Sequence, residues 1–368
     1  MTARYDAVVV GAGAMGSAAA WWLARRGRSV ALVEQFEAGH TRGSSHGASR
    51  IFRYAYDDPV MVRLVMEARP LWDELQDDAG ETLLDQIGAL DHGDPPTVEA
   101  LAAAMAAAGV PNEAMPPAAA GERWPHLRFE GTVVHQPTAG RCLADVTVAA
   151  LLRKAGDHGA DVRCGVGPAT VSPAGDGVRV RAGDEELEAA VAVVTAGGWV
   201  AGTIGPASPV GLPLPPLRVS EEQLVHFAPT VERDQWERWA SSIHHADRFW
   251  YMLPSPGIGF KVGGHHEGDV IDPDRRREGP DLEYVEGLVR YVEEWVPGVR
   301  PEPMAGTTCL YTTTPDDRFL VDRRGPIVVG SACSGHGFKF VPLIGRVLAD
   351  LVDGVEPDGP YRRLADPW

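Results

Sequence analysis

Residues 5–34 read YDAVVVGAGAMGSAAAWWLARRGRSVALVE, and the fold class turns on them. Tyr5 to Val10 is an apolar, β-branched run that predicts a strand. Ser17 to Gly27 predicts a helix, and SVALVE predicts a second strand closing on Glu34. Between the first strand and the helix stand Gly11, Gly13 and Gly16 in the spacing G-x-G-x-x-G. Such a turn must be tight, its backbone must approach a pyrophosphate, and the helix start supplies amide donors to that anion. The unit therefore predicts dinucleotide binding in an α/β fold. An acid at the end of the second strand suits ribose hydroxyls and repels a 2′-phosphate, so Glu34 makes NADP the least favoured dinucleotide.

The whole chain has 368 residues, enough for one large α/β unit or two domains. Its 34 Lys+Arg against 51 Asp+Glu give a formal net charge of -17, a field that repels nucleic acid and anionic membrane surfaces. No segment is long and apolar enough to predict a membrane span. Four cysteines (Cys142, Cys164, Cys309 and Cys333) without C-x-x-C spacing suggest a reducing compartment, and a cytoplasmic protein with no metal site is expected. Adjacent His265 and His266 are expected on opposite sides of a strand, as are His244 and His245, which argues against ready metal sites. Only three lysines occur, Lys154, Lys261 and Lys339, so arginine fills nearly every cationic position. A retained lysine marks a place where a compact ammonium serves better than a planar fork. Lys154 sits in a helical pattern and is expected to be exposed, whereas Lys261 and Lys339 lie in glycine-rich segments.

Downstream, residues 80–137 mix short strands with an alanine-rich helix, TVEALAAAMAAAG. A helix over about 145–158 and a buried strand, VAVVTAGG, follow. Strands LRVSEEQLVHF and RFWYMLPSPGIGFKVGG precede an amphipathic helix, DLEYVEGLVRYVEEWV, and residues 325–354 read as strand, glycine turn and helix. Nucleotide-related segments thus recur at the start, middle and end. A discontinuous cofactor domain (1–80, 138–212 and 300–368) interrupted by a mixed-sheet substrate domain (81–137 and 213–299) is expected. The last residues, EPDGPYRRLADPW, read as a docked or exposed tail.

Five segments in this order, VVVGAGAMGSAAAWWLA, HTRGSSHGASRIFRYAY, GIGFKVGGHH, TTCLYTTTPDDRFLVD and SACSGHGFKF, resemble the monomeric sarcosine oxidase and N-methyltryptophan oxidase family. The resemblance spans most of the chain. It implies an FAD-binding Rossmann-like domain of the glutathione-reductase type, with FAD rather than NAD. It also implies that Cys309, matching the cysteine of the family's T-C-x-Y segment, carries the flavin through an 8α-S-cysteinyl bond. Read from residues alone, Cys309 is better taken as a buried, inert thiol, and Cys333 is a competing attachment point.

By the same resemblance, Gly11, Gly13, Met15, Gly16, Glu34, Ser44, His46, Arg50, Cys309, Gly335, Gly337 and Lys339 contact the cofactor. Arg53 and Lys339 orient a substrate carboxylate, with Arg50 and His46 close to the flavin. From spacing alone, Arg50 and Arg53 read as a solvated helix face. Lys261 is implied above the flavin, where an ammonium stabilises the superoxide formed when oxygen takes its first electron. Tyr251, Tyr311 and His265 are expected to line the substrate pocket. SSIHHADRFWY departs from the family's pattern, and the loop after Pro254 is one residue shorter, so pocket size is left open.

The implied activity is oxidation of sarcosine or a similar N-methyl amino acid by O2 to demethylated amino acid, formaldehyde and H2O2, in a monomer without protein partners. A cyclic imino acid such as pipecolate or proline, or a larger amine in a biosynthetic pathway, is the alternative substrate. An NAD-linked dehydrogenase would explain the opening unit but not the later glycine motifs. A non-catalytic flavoprotein subunit of a complex would call for a large apolar interface, which the acidic balance disfavours.

Overall fold

In a computed structural model that describes residues 4–361 and 363, strand Arg4–Val10 is buried on both faces from Ala7 onward. A short crossover through helix Ala14–Arg25 leads to strand Val30–Val33, which must then run parallel to the first. On the other side, strand Glu185–Val194 is also parallel to Arg4–Val10, in register from Arg4 opposite Glu188 to Val10 opposite Val194. Strand Asp161–Arg163 extends the sheet beyond Val30–Val33, and Ile327–Ser331 extends it beyond the end of Glu185–Val194. Antiparallel strands Ala169–Ala174, Gly177–Ala182 and Leu320–Arg324 complete eight. Segments from the start, middle and end of the chain do meet in one sheet.

The parallel strands bring their carboxyl ends to one edge. Gly11, Glu34, Thr195 to Gly198 and Ala332 to Gly337 all follow directly from such ends, and a ligand crevice in an open α/β sheet forms there. Helix Ala14–Arg25 starts three residues earlier than its sequence pattern, because the glycine turn feeds straight into it.

A nine-stranded, mostly antiparallel sheet faces that edge. Its longest ladder joins Arg218–Pro229 to Val299–Thr313, and its core packs Phe227, Phe260 and Val262 against Leu288 and Val292 of helix Leu282–Trp295. Strand Val299–Thr313 therefore belongs with the second sheet, not with the cofactor segment expected from residue 300. There it pairs antiparallel with Arg218–Pro229 from Val299 to Thr313. A small sheet of Arg50–Phe52, Leu84–Asp85 and Gly140–Cys142 lies between the larger two in sequence.

Helix Pro59–Ala79 buries Trp72 completely, and its indole N–H donates to Lys339 O at 2.8 Å. Buried tryptophan needs such an acceptor. The bond fixes the turn Gly337–Phe340 that carries Lys339. Lys154 is not an exposed lysine: its side chain is 15% accessible and reaches both Asp78 and Asp157. Tyr361 packs into the first core, while residues 362 and 364–368 of the terminal tail lie outside the described residues. Among the described residues no helix is long and apolar enough to cross a membrane.

Helices Ala14–Arg25 and Val341–Val352 touch closely at Gly345, where an added Cβ would lie 2.6 Å from Ala18 Cβ. Gly345→Ala should lower stability by about 1–3 kcal/mol through overpacking. Gly156, on a helix with nothing within 4 Å of its Cβ position, serves as the control. Gly156→Ala should be neutral or stabilising by up to about 1 kcal/mol. Urea midpoints of the two variants against the parent check both signs.

Candidate active site

Gly11 takes φ +100°, and a Cβ there would lie 2.7 Å from Thr195 O. At Gly16 the Cβ would lie 1.9 Å from Gly11 O, so the helix presses on the turn with no room for a side chain. Gly16 is thus a packing residue beneath the cavity wall. The helix has no side-chain cap at Gly13, and Ser45 Oγ accepts from Ala14 N at 3.0 Å. Ser45 takes one first-turn amide, and the rest of such a turn is a ready anion site.

From this turn a cavity of about 840 Å³ runs between the two large sheets. Glu34 stands at one end, buried, with one oxygen accepting from Ala12 N at 2.7 Å and the other from Phe36 N at 3.0 Å. Its carboxylate braces the glycine turn while facing the cavity. Gly13, Met15, Ser44 and His46 also line this space, and Gly335 and Gly337 border it from the last glycine turn. A Cβ on Gly337 would lie 1.8 Å from Ala332 O. Glycine-walled, open to helix amides and elongated, the cavity fits FAD.

Arg50 lies on strand Arg50–Phe52, not on a helix face. Its guanidinium donates to Ser44 O, His46 O and Ser49 O at 2.8, 2.6 and 2.9 Å, so it braces the loop beneath the cavity. Burial, aided by Arg50, Arg276 and Lys261, pushes the His46 imidazole down to about 3, which keeps it neutral. Lys261 is 3% exposed on strand Gly259–Gly264, donates to Ser49 O at 2.5 Å, and burial pushes its ammonium well below the ordinary lysine range.

Lys339 lies across the same cavity, 5% exposed, donating to Tyr56 Oη at 2.9 Å and His336 O at 2.8 Å. Burial and the neighbouring Arg53 lower its pKa to about 7. Among the described residues neither Lys261 nor Lys339 has a carboxylate partner in an ion pair. Arg53 is half-buried, donates to Ala55 O and to Asp91 Oδ1 (3.2 Å), and lies over the rings of Tyr56 and Phe249.

Tyr251, Tyr311 and His265 close this end of the cavity, with His265 Nδ1 and Tyr311 Oη 3.3 Å apart. Burial raises both phenols and lowers the imidazole, so all three are neutral polar groups near neutrality. His265 and His266 do not alternate across a strand. The strand ends at Gly264, His266 takes φ 60°, and the two rings lie 4.1 Å apart. His244 and His245 do diverge, towards Glu130 and Asp91. Cys309 is buried in strand Val299–Thr313 and lines the cavity, as does Cys333. Burial pushes the Cys309 thiol up, with Arg50 and Lys261 pulling it back.

Several site residues escaped sequence reasoning. Tyr56 and His336 lie inside motifs already singled out, beside Arg53 and Lys339, but nothing in the spacing says that their polar atoms meet at 2.9 Å. Asp91 comes from a short strand with no motif, and Arg276, 3.4 Å from His46 Nε2, from the uninformative run DRRRE. Phe249 is a strand aromatic indistinguishable from core.

A profile of the family "FAD dependent oxidoreductase" matches residues 6–351. The chain is similar to the peroxisomal sarcosine oxidase of Mus musculus, 32% identical over 97% of this chain and 95% of that one. It is similar to the monomeric sarcosine oxidase of Bacillus sp. (strain NS-129), 30% identical over 95% of this chain and 93% of that one. Among solved structures it is similar to the open form of NikD, an unusual amino acid oxidase essential for nikkomycin biosynthesis. That match has a TM-score of 0.84 and 27% identity, covering 95% of this chain and 94% of the other. With the cradle and the cations on one cavity, the chain belongs to the FAD dependent oxidoreductase family and, within it, to the sarcosine oxidase-like oxidases that act on CH–NH donors.

Proposed function

We propose that this chain oxidises the C–N bond of a secondary amino acid, sarcosine or a similar N-methyl amino acid. Water and O2 are consumed, and demethylated amino acid, formaldehyde and H2O2 are released. The observation that carries this reading is the pair of buried lysines without carboxylate partners among the described residues, facing one cavity that begins at a dinucleotide-type glycine turn. FAD, when bound, supplies the two-electron chemistry.

On this reading the segments of the eight-stranded sheet hold FAD through Gly11, Gly13, Met15, Glu34, Ser44, His46 and the turn at Gly335 and Gly337, with Cys309 as the covalent tether. Lys339 and Arg53 orient the substrate carboxylate, and a fixed carboxylate fixes the reacting carbon. The positive charge of Lys339 also lowers the pKa of the bound amine and favours its neutral, reactive form. Tyr251, Tyr311 and His265 surround the substrate without charge of their own. Lys261 serves the oxygen half of the reaction: burial disfavours its charge, and an anion forming beside it restores that charge. The net charge of -17 and the unpaired cysteine spacing support a cytoplasmic monomer.

Three measurements test these roles. Acid precipitation of the purified protein should leave the yellow colour in the pellet, and Cys309→Ser should release it to the supernatant. Lys261→Met should slow flavin reoxidation by about 10²–10³, the usual cost of losing one electrostatic stabiliser, with reduction by sarcosine much less affected. Stopped-flow traces of the two half-reactions separate them. Because Lys339 is charged below about 7 and neutral above it, acetate affinity should fall as pH rises through that value. The readout is perturbation of the flavin spectrum, and Lys339→Met should bind acetate weakly with no such dependence.

A further inference from the structure

Asp91 lies in strand Ala89–Gly93, is 0% exposed, and accepts from three donors. Arg53 Nη1 at 3.2 Å and His245 Nε2 at 2.9 Å share its Oδ1, and Gln136 Nε2 holds Oδ2 at 2.7 Å. Gln136 Oε1 in turn accepts from Tyr54 N, next to Arg53 in the chain. His245 comes from strand Ser241–His245, parallel to the Asp91 strand, and Gln136 from the antiparallel strand on its other side. Three strands therefore fix one carboxylate against one guanidinium that faces the substrate end of the cavity.

Bracing Arg53 needs only a hydrogen-bond acceptor, which an amide side chain would supply. A fully buried carboxylate carries a heavy desolvation cost, so its charge has a consequence that a neutral acceptor would not. Arg53 retains donors for a ligand, but with Asp91 beside it the pair adds no net charge. The cation left unmatched at this end is Lys339, whose partners, Tyr56 Oη and His336 O, are both neutral.

We propose that Asp91 is a positioning residue that sets the charge selectivity of the substrate cavity. By neutralising Arg53 it limits the cavity to amines bearing a single carboxylate and excludes dicarboxylic ones. This rests on the reading that the cavity takes an amino-acid carboxylate.

The test compares binding of acetate and malonate to the FAD-loaded enzyme near neutral pH, read from the flavin spectrum. Asp91→Asn leaves Arg53 uncompensated and should shift the affinity ratio roughly tenfold towards malonate. Arg53→Gln leaves Asp91 uncompensated and should shift it the other way. The double variant removes a neutral pair and should return close to the parent ratio, a restoration that a purely structural role for Asp91 would not produce. Arg53→Gln carries the test independently of how well Asp91→Asn folds. Binding of acetate with the same ratio in every variant overturns the inference alone. Failure of the parent enzyme to bind either acid overturns it together with the proposed substrate class.

Discussion

The structure depends on one crowded point, where the Gly11 turn, the start of helix Ala14–Arg25 and the end of strand Glu185–Val194 come together. Thr195 N and Oγ1 both reach Val10 O, and Oγ1 also reaches Gly11 O at 3.0 Å. No side chain fits between these segments at Gly11 or Gly16. Because the helix is pinned so close, its uncapped amides open directly onto the cavity. The last helix docks on the same element through Gly345 and Ala18, which sets the turn carrying Lys339. A backbone constraint at the cofactor end thus positions a cation at the substrate end.

The second sheet contributes chemistry that the first cannot. Lys261 and Cys309 both come from the nine-stranded sheet, on the two strands that flank Arg218–Pro229, opposite His226 and Glu222 respectively. Lys261 is tied to Ser49 O, so the sheet also braces the loop from Ser44 to Ser49 that Arg50 holds from below. Burying Lys261 and the Cys309 thiol on that side would be costly in a packed core. They are tolerable beside a large cavity that an anionic, planar ligand completes.

The opening unit was fully legible, because a glycine spacing, a helix pattern and an acidic strand end all demand the same geometry. The last glycine turn was legible for the same reason, and rare lysines drew attention to Lys261 and Lys339. The sequence was silent where partners come from segments far apart in the chain. Asp91 meets Arg53 across 38 positions and His245 across 154, and neither meeting leaves a local pattern. Strand Val299–Thr313 misled for a related reason: its pairing with Arg218–Pro229 is nonlocal, so its sheet could not be inferred from its neighbours in the chain.

Hydrogen-bond polarity explains why Lys339 keeps an unmatched charge. An ammonium only donates, so Tyr56 Oη accepts from Lys339. Its phenolic hydrogen is then free to donate, and the available acceptor is His336 Nδ1 at 2.9 Å. That assigns the His336 proton to Nε2, which donates to Asp317 O at 3.1 Å. Burial and Lys339 push the imidazole down to about 3, consistent with one neutral tautomer throughout this chain of bonds. Every partner in it is neutral and already oriented, so the bonds aim the ammonium without cancelling its charge. An anion entering the cavity is the group that can.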